Sequence, residues 1–243
     1  MVGSVHSAGS EMLVTDTRLT LPEELILLGW DDGRGRNRYT QNLPMLVAGA
    51  SVLELVLRDA LTIEKDRVHA SNTRLDHHAL DRVLQEIRED SKQRSIKNWV
   101  QRLGHSRWLR GMLLEQLTER GIVRDESSRV LGLFPWSRHP VADSATVTAL
   151  RERMARALTQ EEPVSDARDA ALGGLAHSAG GSLIRRLVPR EQRQAARRRA
   201  KALSKGEAVS ADVAKAIGET NAGVMAAAAA AVAAASASAG GGS

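Results

Sequence analysis

A chain of 243 residues with 42% apolar and 26% charged positions carries enough hydrophobic surface for a packed core, which excludes a wholly disordered protein. It has no cysteine, so disulfides, cysteine nucleophiles and thiolate metal sites are excluded, and with 4 Trp, 1 Tyr and 1 Phe its apolar content favours packed helices over sheets. The net charge of +5 is uneven: residues 181–205 hold nine Lys/Arg against the single acid Glu191, or +8, which leaves −3 for the rest and makes that segment a concentrated patch able to engage phosphate-bearing partners.

Residues 1–11 read as a disordered leader, lacking the charged start and apolar stretch of a signal peptide. In "LTLPEELILLGWDDGRG", Thr20 suits an N-cap, Pro22 falls in the first turn, and Leu25, Ile26, Leu28 and Gly29 recur at helical spacing. The Asp/Gly-rich "DDGRGRNR" then reads as a turn. Residues 43–60 are apolar but for one Glu and an Arg-Asp end, which predicts a helix buried on most sides. "LTIEKDRVHAS" suits a short strand pair or an irregular crossover. Residues 78–90 (Leu80, Val83, Leu84, Ile87) and 95–104 predict two amphipathic helices, the second closed by Gly104 as its cap. Residues 106–121 place Leu109, Leu113 and Leu117 on one stripe with Met112 and Leu114, ending at Gly121.

"GIVRDESSRVLGLFPWSRHP" reads as a β-hairpin whose polar turn is Asp-Glu-Ser-Ser. Helices are expected again at 144–159, 165–180, 190–204 and 210–235, before a flexible Gly/Ser tail at 236–243. The alanine-rich stretch is too weakly hydrophobic for a membrane span, and the body has no charge-free apolar run of that length. The expected fold is mainly α, a single multi-helix domain over residues 12–235.

The search for chemistry is mostly negative. His77 and His78 point about 100° apart on a helix and lack a third ligand, so capping or surface roles are expected rather than a metal site. His139 suits a structural hydrogen bond and His177 a place between helices. "AGGSLI" lacks the second glycine of a nucleophile elbow, and "GRGRNR" lacks phosphate-loop spacing. No carboxylate pair stands out; no catalytic residue, metal or cofactor is expected, and the chain is not read as an enzyme.

Arg107 and Arg110 are more informative. Three apart on a helix, they share a face near its N-terminal end, where free backbone N–H groups favour anions. Cations there oppose the helix dipole at about 0.3–1 kcal/mol each unless something negative binds. The alternative is a solvated pair matched to carboxylates of another helix.

In order along the chain, "RLTLPEELILLGWDD" (18–32), "ELVLRDAL" (54–61), "ALDRVL" (79–84), "SIKNWVQRLG" (95–104), "LRGMLLEQLTERGIV" (109–123), "LGLFPWSRHPVAD" (131–143) and "LAHSAG" (175–180) resemble the Golgi phosphoprotein 3 family. The resemblance spans about residues 12–235, and the Ala/Arg-rich composition looks closer to the family's bacterial branch. It implies a central helical bundle with one projecting β-hairpin that mediates self-association. It further implies a peripheral membrane protein, Golgi-located on the cytosolic face in eukaryotic relatives, that binds phosphatidylinositol 4-phosphate in a shallow basic pocket.

The family's two pocket arginines fall at Arg107 and Arg110, its pocket tryptophan at Tyr39, and its third arginine at Ala48, with Arg36 and Arg38 as nearby substitutes for the lost cation. Arginine's fork suits phosphate oxygens, and an aromatic suits the headgroup level. Leu133, Phe134 and Trp136 are expected to dip into the membrane interface or to pack on a second copy or on the body. Residues 1–17 contain no Lys or Arg, so the family's basic coat-binding arm has no counterpart. The expected partners are a phosphoinositide or another anionic lipid on a membrane surface. Two other readings stay open: a winged-helix-like nucleic-acid binder, disfavoured because its reading helix is apolar, and a ligand-free helical scaffold.

Overall fold

A computed structural model describes residues 18–213 apart from 41, 65–66, 131–133 and 212. The expected leader, the tail and nearly all of the alanine-rich helix lie outside the described residues. Within them the protein is mainly α-helical, with three separate two-stranded antiparallel hairpins and no larger sheet.

Helix α1 (Leu21–Gly29) and helix α2 (Leu43–Leu57) form the spine. Every residue of α1 is buried, including Glu23 and Glu24. Its start is fixed as the sequence suggests: the Glu23 carboxylate accepts from the Thr20 N–H at 2.7 Å and from the Thr20 hydroxyl at 2.8 Å. Helix α2 is buried from Leu43 through Val56 apart from Pro44. The single Glu that interrupts its apolar run, Glu54, is the core's main ionic anchor. It is fully buried and accepts from the Leu21 N–H at 2.8 Å, Arg58 Nε at 2.6 Å and Arg168 Nη1 at 2.7 Å. Arg168 also donates to the Leu19 carbonyl at 2.7 Å, tying its helix to the entry of α1.

Between the spine helices, β1 (Trp30–Asp31) pairs with β2 (Arg36–Asn37) around the predicted turn, with Gly35 at φ +59. Strands β3 (Leu61–Glu64) and β4 (Arg67–Ala70) form the strand pair that the alternation allows. Helix α3 (His78–Glu89) is capped by His77, whose ring accepts from the Leu80 N–H at 3.3 Å. Helices α4 (Ile96–His105) and α5 (Arg107–Glu119) complete a half that packs on α1 and α2. Strands β5 (Glu126–Val130) and β6 (Phe134–Arg138) lead to α6 (Ser144–Thr159), α7 (Ala167–Ser178), α8 (Gly181–Leu187) and α9 (Arg193–Leu203), which pack together as the second half.

Four expectations need correction. Gly104 does not cap α4: it lies inside the helix, and a Cβ there would strike the Met45 sulfur and stand 3.2 Å from the Met45 Cα, so its role is close packing of α4 on α2. The Asp-Glu-Ser-Ser segment is not the hairpin turn. Pairing of Glu126 with Arg138 through Val130 with Phe134 carries the strand through that segment and puts the connection after Val130, because a run of polar residues suits a paired strand as readily as a turn. The helix expected at 165–180 stops at Ser178, and a separate α8 follows Gly180, whose φ of +91 breaks the run. His177 is exposed rather than packed between helices.

Candidate functional site

Arg107 opens α5 and Arg110 lies one turn on, so both guanidinium groups leave the same face. Both are exposed, and among the described residues neither has a carboxylate within 4 Å. The helix start beneath them also lacks a side-chain cap. Ser106 occupies the N-cap position but donates its hydroxyl to the Leu103 carbonyl at 2.6 Å, closing α4 instead. The first turn of α5 contains no acid either. Two cations therefore stand over uncapped amides, an arrangement that costs free energy until an anion arrives.

Trp108, between the two arginines, points elsewhere. It is half-buried against the core, and Arg82 of α3 stacks over its ring at 4.1 Å. Leu109, Leu113 and Leu117 supply the buried stripe that orients the helix. The residues between the arginines thus decide where the arginines face.

Tyr39 sits in the loop between β2 and α2, half-buried. Its carbonyl accepts from the Ser182 hydroxyl of α8 at 3.2 Å, and Arg186 stacks over its ring at 4.2 Å. Arg38 approaches the same ring at 5.7 Å while bonded to Asp31 at 3.0 Å, and that guanidinium is the main reason the Asp31 carboxyl lies below the usual range. Arg36 is exposed, with no ion pair among the described residues. No hydrogen bond, ion pair or ring contact among the described residues joins Tyr39 to Arg107 or Arg110. The link between them is at the level of elements: Gly104 packs on Met45, which brings the α4–α5 junction against the start of α2, just after the Tyr39 loop.

Ala48, where the family resemblance places a third arginine, is fully buried on α2. Besides Arg38, the cation nearest the Tyr39 ring is Arg186, which the sequence reading missed. It comes from α8, held in place by Asp32 at 3.2 Å. Asp32 also takes a two-pronged bond from Arg151, the leading cause of its lowered pKa. The visible signal was only the density of arginine in 181–205.

A family model described as Golgi phosphoprotein 3 (GPP34) matches residues 21–220. The chain belongs to the Golgi phosphoprotein 3 family. Among curated proteins it is similar to vacuolar protein sorting-associated protein 74 of Schizosaccharomyces pombe, 25% identical over 166 residues, which cover 58% of this chain and 49% of that protein. The chain thus spans about half the length of the curated relative it matches. The matched span takes in the α1–α2 spine and α5, which carries Arg107 and Arg110.

The hairpin residues add backbone information only: Phe134 pairs with Val130 and Trp136 with Ser128, while Leu133 lies outside the described residues. Among the described residues no helix is long and apolar enough to cross a membrane, and no group of three His, Asp or Glu is arranged to hold a metal.

Proposed function

We propose that this Golgi phosphoprotein 3 family chain is a peripheral membrane protein and adaptor, not an enzyme, that docks on phosphatidylinositol 4-phosphate or another anionic phospholipid head group. Arg107 and Arg110 are the phosphate clamp, Arg36 and Arg38 the flanking cations, and Tyr39 the aromatic at the pocket rim. The observation that carries this reading is an exposed arginine pair, with no carboxylate partner among the described residues, above an uncapped helix start. The hairpin, through Leu133, Phe134 and Trp136, is the second contact, inserting at the interface or joining a second copy. On this reading the protein works in the cytoplasm, on a membrane surface.

Ala48 bears on the choice of lipid. With a buried methyl group in place of a cation, the clamp on α5 holds fewer charges than the family pocket, so head groups with one accessible phosphate suit it better than polyphosphorylated ones.

Flotation with vesicles of neutral lipid, phosphatidylglycerol, or phosphatidylinositol 4-phosphate tests the reading. Two cations at about 1 kcal/mol each are worth about 30-fold in membrane partitioning. Arg107→Ala/Arg110→Ala is therefore expected to bind anionic vesicles about 30-fold more weakly, at a melting temperature no lower than that of the wild type. Equal binding by the variant and the wild type overturns the assignment.

A further inference from the structure

The basic segment 181–205 is divided by the fold into arginines that staple helices and cations that do not. Arg193 donates to the Val188 and Arg185 carbonyls, both at 3.2 Å, and Arg199 donates to the Ala157 carbonyl at 2.7 Å. Those side chains are structural. Arg185, Arg197, Arg198 and Lys201 turn the other way, onto a concavity of about 560 Å³ between the α7–α8 turn and α9. No carboxylate lines it, and among the described residues none of the four cations has an acid within 4 Å.

The backbone makes room for their convergence. Gly180 turns the chain with φ +91, a conformation that other residues rarely adopt. A Cβ on Gly181 would stand 2.9 Å from Arg197 Nη2 and 3.6 Å from Arg185 Nη1. Two guanidinium groups from different helices thus aim at one glycine, with Ile184 beside it and His177 at the edge. Like charges at helical spacing on α9, Arg197 with Lys201 and Arg198 with Lys201, repel one another unless a shared counter-charge sits between them.

We propose that this cavity is a binding site for a multiply charged phosphorylated group, gripped by Arg185, Arg197, Arg198 and Lys201. Its volume suits a head group or a pyrophosphate more than a lone small ion. Phosphate fits because planar guanidinium forks bond its oxygens in pairs while the ammonium serves as a point charge. A nucleic-acid strand fits less well, since the cavity has no aromatic ring on which a base would stack. The site is separate from the clamp on α5: that helix packs on the spine and on α3 and α4, whereas α8 and α9 pack on α6 and α7.

The test uses the full chain, titrated calorimetrically with sodium pyrophosphate at low salt. Wild type is expected to show one saturable site that weakens at least tenfold in Arg197→Gln/Lys201→Gln and changes less than twofold in Arg107→Ala/Arg110→Ala. Arg185→Gln, from the opposite wall, provides the same reading independently should the double variant melt early. Flotation of the same variants on phosphatidylglycerol and phosphatidylinositol 4-phosphate vesicles separates the two sources of phosphate. Loss of vesicle binding along with pyrophosphate binding makes the ligand a lipid head group, whereas loss of pyrophosphate binding alone makes it a soluble phosphorylated compound. Absence of saturable binding by folded wild type, binding that survives the α8 and α9 substitutions, or binding that vanishes only with the α5 pair overturns the proposal. The last of these leaves the membrane clamp standing, so the two readings fail separately.

Discussion

Replacing Arg168 with Met exposes how the spine is held. Glu54 has no solvent access and is satisfied by the Leu21 N–H, Arg58 and Arg168, the last at 2.7 Å to both carboxylate oxygens. Arg168 is itself mostly buried, at 15% side-chain exposure, so water cannot replace it. Its removal leaves a buried carboxylate with one cationic partner instead of two, and also strips the Leu19 carbonyl of its donor. Breaking a buried pair on one side costs about 3–5 kcal/mol, and the remaining Arg58 contact puts Arg168→Met near the lower end, about 3 kcal/mol. For a domain of this size that is a fall in melting temperature of about 6–12 °C. Glu54→Gln/Arg168→Met, which removes the charge as well as its partner, is expected to recover at least about 1 kcal/mol of the loss. Urea denaturation of wild type, both single variants and the double variant closes the cycle. If Arg168→Met loses less than about 1 kcal/mol, or if the two single losses simply add, the Glu54 network does not anchor α1 to α7 and the spine rests on apolar packing alone.

Two further substitutions and one pH effect follow from the same contacts. Gly104→Ala gains about 1 kcal/mol of helix propensity but drives a Cβ into Met45, so a net loss of about 1–3 kcal/mol is expected in chemical denaturation. Gly111→Ala on α5, where a Cβ meets nothing within 4 Å, is the control and is expected to stabilise by up to about 1 kcal/mol. Asp32 has a folded pKa below its ordinary 3.8, chiefly because of Arg151's hydrogen bond, so its contribution is present above about pH 4 and is lost as pH falls through the folded value. Asp32→Asn is therefore expected to flatten the decline in stability between about pH 5 and 3, by less than about 1 kcal/mol because the carboxylate is 44% exposed. An unchanged pH profile of melting temperature counts against the pairing.

The parts of the fold that were legible in the sequence are those set by local periodicity. Leu80, Val83, Leu84 and Ile87 place α3 within a residue of its ends, and Thr20 with Glu23 marks the start of α1 because both halves of that cap lie in one turn. What escaped depends on partners far away in the chain. Gly104 looks like a cap until Met45 is known to press on it, and no local pattern reports a neighbour 59 positions away. The break at Gly180 is hidden because Gly173 and Gly174 already lie inside α7, so a glycine alone does not mark the end of this run. At the candidate site, the spacing of Arg107 and Arg110 gave their shared face, but it did not show that Trp108 would turn to Arg82. Arg186 was invisible as a neighbour of Tyr39 because a hydrogen bond from Ser182 and the carboxylate of Asp32 bring it there.

The distribution of charge partners argues that the unmatched arginines serve a ligand. Three carboxylates are buried in the spine, Glu23, Glu24 and Glu54, and each is met by cations from the surrounding helices: Arg120 at the end of α5, Arg153 on α6, Arg168 on α7. Asp32, on the surface, takes Arg151 and Arg186. A protein with 34 Lys/Arg against 29 acids can match most of its cations in this way. Random surplus would scatter the remainder over the surface, where each is solvated at little cost. Single cations without an ion pair among the described residues, such as Arg36, do lie there, but two groups stand together: the α5 pair above uncapped amides, where the helix dipole opposes them, and the α8–α9 cluster around Gly181, where like charges repel one another. Positions that raise the energy of the free protein in this way are stabilised when an anion binds, and the stabilisation scales with ligand concentration. Raising anionic ligand at fixed ionic strength is therefore expected to increase the melting temperature of wild type, to raise that of either arginine-depleted variant less, and to leave that of a variant lacking both clusters unchanged.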